Sequence, residues 1–231
     1  MIRGLLCRVM QGVIVAVFYL IVVVLGILSM GFQLLGSRLL NPHFGSSIIV
    51  WSWLISTFLA AFSLGSLLGG WISSLPAARR HRFQLAVAVG AVLTLAFTAA
   101  FGRGVLDVIE VKFESVSTAL LVSCLGLFFA PVTMLSCFGP QCVQWIAARG
   151  TKPGAASGVI YGISTVGNIA GVMLTAFVLL PNLRVSTLLY VWLGVAVVSL
   201  AGLLTLLQRA ESPAAPGKSG TGSASSPDTS P

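Results

Sequence analysis

Long apolar runs, broken only by short polar or basic segments, set the pattern of this chain. Each run is long enough to cross a bilayer core, which takes about 20 helical residues. The runs predict six helices, at about 12–36, 47–75, 83–101, 117–136, 154–180 and 185–207. The fold class expected is therefore all-α, a polytopic membrane bundle over residues 1–209. From 210 to 231 the composition turns to Ser, Pro, Gly and Ala with nothing to bury, so that segment reads as a disordered cytoplasmic tail.

The segments between runs carry the breaks. Arg38–Phe44 (RLLNPHF) reads as a turn, because Asn-Pro disfavours helix at the preceding residue. Pro76–Arg82 (PAARRHR) reads as the most basic loop, and Arg103–Glu114 as a mixed segment lying in the membrane interface. Pro131 predicts a kink in the fourth helix, which is expected to end before Cys137–Trp145; Pro181-Asn182 turns the chain between helices five and six. The first apolar run is too long for a signal-peptide core and lacks a cleavage site, so it reads as an uncleaved helix. Cys7 precedes that run, which argues against a lipid anchor there.

The fifth run has the most pattern. No charge occurs between Lys152 and Arg184, and Gly154, Gly158 and Gly162 recur every fourth position. Gly167 with Gly171 repeats that spacing, as do Gly65 and Gly69, beside Gly70, in the second run. Such glycines let a neighbouring helix approach closely. A second row, Ser157, Tyr161, Ser164, Asn168 and Thr175, follows helical rhythm and should face protein or a water-filled cavity. Two readings stay open for this row: hydrogen-bonded glue between helices, or the lining of a path or pocket.

Composition narrows the class. The chain is 57% hydrophobic and 8% charged, with a mean hydropathy of +1.02. A soluble domain carries ~25% charged residues. The net charge of +8 sits in clusters between apolar runs, where it orients helices and meets anionic headgroups; it gives no nucleic-acid signal. Both ends, with the second and fourth connections, carry Arg3, Arg8, Arg79, Arg80, Arg82, Arg149, Lys152, Arg209 and Lys218. The opposite connections carry Arg38, Arg103, Lys112 and Arg184 together with Asp107, Glu110 and Glu114. Positive-inside orientation then places both termini in the cytoplasm, with Cys7, Cys137 and Cys142 on the reducing side.

Three pieces read together carry a resemblance: Gly31–Trp51 (GFQLLGSRLLNPHFGSSIIVW), Ser63–Gly70 (SLGSLLGG) and Gly154–Pro181. They resemble the membrane domain of the bacterial fused transporter-like (major-facilitator-like)/spermidine synthase proteins, over roughly residues 25–185. The resemblance implies a half-transporter-like bundle in a bacterial inner membrane. It assigns the turn pattern to Arg38, Pro42, Phe44 and Gly45, and the helix pattern to Tyr161, Ser164, Thr165, Gly167 and Gly171. Two departures stand out. Gln33 replaces the acid that usually pairs with the arginine, and the chain ends without the soluble aminopropyltransferase-like domain common in that family. A nucleotide fold would need alternating strands and a glycine-rich turn, which Gly102-Arg103-Gly104 does not supply.

Candidate chemistry is sparse. The predicted spans hold no Asp, Glu, Lys or His, the residues expected in proton- or cation-coupled transport. A polyamine would want carboxylates or an aromatic cage. Cys137 and Cys142, at C-x4-C spacing with no nearby His, fall short of a zinc site. No cofactor is expected, and no catalytic residue. The residues singled out as pocket or helix-packing positions are Gln33, Arg38, Tyr161, Ser164, Thr165 and Asn168, with Gly65, Gly69, Gly158, Gly162, Gly167 and Gly171 as close-packing glycines. Two functions are carried forward. One is a non-enzymatic membrane subunit or anchor acting with a separate soluble aminopropyltransferase-like partner. The other is a transporter or channel for a small molecule, a polyamine among the candidates, built as a homodimer of six-helix halves.

Overall fold

A computed structural model describes the backbone of residues 2–209 and the side chains of 11–208. The predicted tail at 210–231 lies outside these, as do the side chains of Arg3, Cys7 and Arg8. The described residues form six helices long and apolar enough to cross a membrane and no strand: α1 (Ile2–Phe44), α2 (Ile48–Ser74), α3 (Ala77–Lys112), α4 (Val116–Ala147), α5 (Pro153–Asn182) and α6 (Val185–Arg209). The protein is an all-α, multi-pass bundle.

Several boundaries differ from those expected, for one physical reason. A chain in lipid must satisfy its backbone polar groups internally, so weak breakers do not stop a helix. RLLNPHF is helical, not a turn: Pro42 sits in the last turn of α1. The stop comes at Gly45, whose φ of +70° is open to glycine and whose N–H donates to the Asn41 carbonyl at 2.9 Å. Ser47 then caps α2, its hydroxyl accepting from the Val50 N–H at 3.4 Å.

The basic stretch Ala77–Arg82 is the opening of α3, not a loop, since Pro76 ends one helix and precedes the next. Residues 103–112 continue α3 through Gly102 and Gly104 and do not form a separate interfacial segment. A mid-helix glycine costs only about 1 kcal/mol against alanine.

α4 also outlasts its prediction, running beyond Ser136 to Ala147 with a turn at Cys137. Pro131 acts through a π-helical stretch at Leu125–Phe129, after which α geometry resumes at Ala130. Proline has no N–H to give the carbonyl four residues back, which is that of Leu127. Thr98 of α3 donates its hydroxyl to this oxygen at 2.8 Å. A second π stretch, Leu174–Leu179, precedes Pro181, and the Asn182 amide donates to the Val178 carbonyl at 2.6 Å.

Packing partners recur with a three-helix period. α1 lies chiefly against α5, and α4 chiefly against α2; α3 packs on α4, and α6 on α1. The glycines explain the two tightest pairs. A Cβ on Gly65 or Gly69 would run into Thr133, Ser136 and Cys137 of α4. One on Gly167 would strike the Val23 carbonyl of α1, and one on Gly171 would come within 2.6 Å of the Ile27 oxygen. Gly26 returns the contact, 2.5 Å from the Ser164 carbonyl. Because three crossings reverse direction, the two halves run oppositely through the membrane, as in inverted repeats.

Gly158, Gly162, Gly154 and Gly70 differ: a Cβ on any of them would meet nothing within 4 Å. Four-residue spacing puts glycines on one face, but the slant of the crossing decides which turns of that face are covered.

Aromatic and indole contacts fill the centre. Phe32, Phe58 and Phe128 bring α1, α2 and α4 together, with ring centroids 5.6–6.2 Å apart. Trp192 of α6 donates its indole N–H to the Leu28 carbonyl of α1 at 3.1 Å. Its ring closes over Gly31, beside the buried Thr175.

Candidate solute cavity

Where the two halves meet, α1, α2, α4 and α5 leave a cavity of about 250 Å³ between them. Its walls include Val22, Leu25, Phe62, Leu135 and Ile160, and into this apolar shell project six uncharged polar residues: Ser29, Ser66, Ser136, Tyr161, Ser164 and Asn168. Gly139 and the buried Cys142 complete the α4 side.

Depth follows from counting residues. Tyr161 lies eight residues into α5, and Ser66 eight before the end of α2. At 1.5 Å per residue this is ~12 Å from the end carrying the basic clusters. Asn168, two turns further along α5, reaches the middle of that helix. The cavity therefore spans from the middle of the bundle toward the basic end.

Local bonding sorts the polar lining into two kinds. Ser29 donates to the Leu25 carbonyl of its own helix at 2.9 Å. Ser136 donates to the Thr133 carbonyl at 3.0 Å and across to the Ala61 carbonyl of α2 at 3.3 Å. These hydroxyls hold backbone. Ser66, Tyr161, Ser164 and Asn168 make no side-chain hydrogen bond to any described residue, so their donors and acceptors are available to a solute. The lining contains no charge.

The pocket and packing positions singled out in the sequence do not all converge. Tyr161, Ser164 and Asn168 line the cavity. Thr165 is exposed and spends its hydroxyl on the Tyr161 carbonyl at 2.7 Å. Gln33 is half-buried on α1, away from the lining, and Arg38 is exposed at the opposite end of the bundle. There Arg38 borders a cleft with His43, Arg103 and Asp107, in which His43 Nε2 lies 2.9 Å from an Asp107 oxygen.

Ser29, Ser66 and Ser136 are the lining residues that sequence reading missed. They lie on three different runs with no spacing in common; only Ser66, inside SLGSLLGG, had a neighbouring signal in the glycines that draw α2 onto α4. Cys124, Cys137 and Cys142 are buried free thiols, and no cluster of metal-ligating side chains occurs among the described residues.

Comparison with protein-family models, with curated proteins and with solved structures finds no match to this chain.

Proposed function

We propose that this chain is a membrane unit that binds a small, neutral, polar solute in the cavity between α1, α2, α4 and α5, as a step in moving that solute across the membrane. One observation carries the reading. Four polar side chains without protein partners, the half-buried Ser66, Ser164 and Asn168 and the more exposed Tyr161, converge on one cavity at the junction of two oppositely running halves. Transport sites form near the bilayer midplane at the interface of such halves, and polar side chains at this depth are costly without a role.

Size and charge set the solute class. About 250 Å³ falls below the ~300 Å³ at which drug-sized sites begin. Hydroxyls and one amide suit a small polyol or amide. A polyamine fits poorly, because no carboxylate faces the cavity. Both termini in the cytoplasm accord with the distribution of basic residues, and a bacterial inner membrane is what the resemblance implies.

A second reading, a non-enzymatic anchor for a soluble aminopropyltransferase-like partner, draws support from the resemblance at Tyr161–Gly171 and from the exposed Arg79 and Arg82 at the basic end. The two part company over the cavity, which an anchor would not need.

Thiol accessibility tests the solute reading. With the four native cysteines replaced by alanine, Ser164→Cys should react with a membrane-impermeant thiol reagent, and Val166→Cys, 62% exposed on the lipid side, should not. Equal, slow labelling of both would overturn it.

A further inference from the structure

At the basic end a second cavity, of about 290 Å³, lies between α3, α4 and α6, walled by Arg80, Gln84, Gln141, Gln144, Trp145 and Arg149, with Leu207 closing one side. Its chemistry is unlike that of the neutral cavity described above. Two guanidinium groups and three side-chain amides face a common space.

The walls are held in place. Trp145 is buried, stacks on Phe18 at 3.9 Å and donates its indole N–H to the Leu206 carbonyl at 3.2 Å. Arg149 folds back over that indole, 3.2 Å from the ring centroid, and donates to the Trp145 carbonyl at 2.9 Å. Partial desolvation there lowers the Arg149 pKa from its ordinary value. From α3, Arg80 reaches the Ser73 carbonyl at 3.3 Å, and Gln144 of α4 meets the same oxygen at 2.8 Å. The cavity is thus braced by contacts from α3 and α4 to α2, and from α4 to α1 and α6.

Gln141 supplies the telling detail. It is 2% exposed, its amide nitrogen donates to the Cys137 carbonyl at 3.0 Å, and its Oε1 is buried with no donor. Turning the amide over would set two oxygens against each other, so the orientation is fixed by its partner. The site therefore offers cationic donors and one orphaned acceptor.

We propose that this cavity binds a phosphate group carrying a neighbouring O–H donor, the phosphate held by Arg80 and Arg149 and the O–H given to Gln141 Oε1. Two sources share that chemistry: the glycerol headgroup of an anionic phospholipid such as phosphatidylglycerol, and free hydrogen phosphate. Phosphatidylcholine lacks the O–H and carries a fixed cation, which two arginines repel. Guanidinium groups match phosphate geometry through paired N–H donors.

The test uses the full chain in detergent, with bound lipid counted by native mass spectrometry and competition by inorganic phosphate. Preferential retention of phosphatidylglycerol over phosphatidylcholine, unmoved by phosphate, identifies the lipid. Phosphate binding that displaces it identifies the free anion. In either case Arg149→Gln should weaken binding about tenfold, the scale of a charge-assisted hydrogen bond. Arg79→Gln and Arg82→Gln remove the same charge from exposed positions outside the cavity and should change it little. Should Arg149→Gln fail to fold, Arg80→Gln and Gln141→Leu carry the same expectation. No preference for either probe over phosphatidylcholine, or equal losses from Arg79→Gln and Arg149→Gln, would overturn the proposal in favour of diffuse surface attraction.

Discussion

Thr98 of α3 gives its hydroxyl to the carbonyl of Leu127 on α4 at 2.8 Å, the oxygen that Pro131 leaves without an N–H. The bond joins a helix break to the neighbour that makes the break tolerable. Thr98 is 1% exposed, so no water replaces it. Thr98→Val should cost about 1–2 kcal/mol, more than the ~0.6 kcal/mol average for membrane hydrogen bonds, because a buried carbonyl loses its partner. Thr94→Val, which loses only bonds within its own helix, should cost less. Reversible denaturant unfolding in mixed micelles measures both; equal losses would show the α3–α4 bond to be incidental.

The glycines divide into two groups that a substitution series should separate. Gly167→Leu and Gly65→Leu push into backbone of a facing helix and should abolish the folded monomer. Gly158→Leu and Gly162→Leu extend into open space and should leave monomer stability within about 0.5 kcal/mol. Size-exclusion profiles and melting temperatures of the four variants check the division. A stable Gly167→Leu monomer would mean that α5 does not lie on α1 as described.

How these features read from the sequence depended on what lipid demands. Apolar length alone located the six crossings, because a spanning segment must be apolar for its whole depth. Extents were harder. Asn41-Pro42 and the stretch 103–112 look like breaks, yet both are helical, since ending a helix in lipid strands more backbone than a proline or glycine costs. On α5 the rhythm of Tyr161, Ser164 and Asn168 was visible as one row, and these three share the cavity. Ser29, Ser66 and Ser136 were invisible as a group, because only packing of four helices brings them together. Gly158 and Gly167 looked alike for the same reason: spacing records a face, and contact depends on where the partner crosses it.

Orientation can be read independently. Reporter fusions after Ser46, in the α1–α2 turn, and after Lys112, at the end of α3, should both score external. This follows from the basic residues gathered at the other end of α3 and at the α4–α5 connection. A cytoplasmic signal at either site would invert the arrangement and place the phosphate cavity on the outer face.

Solute entry into sealed proteoliposomes tests the central claim most directly. Vesicles holding the purified chain should admit a small neutral polyol, followed by light scattering after an osmotic step, faster than protein-free vesicles of the same lipid. Asn168→Leu, which fills the neutral cavity from α5 and removes its one amide, should return the rate to the protein-free value while the melting temperature holds. Spermidine should not enter in either case. A wild-type rate equal to that of protein-free vesicles for every neutral solute tried would contradict the transport reading and leave the anchor.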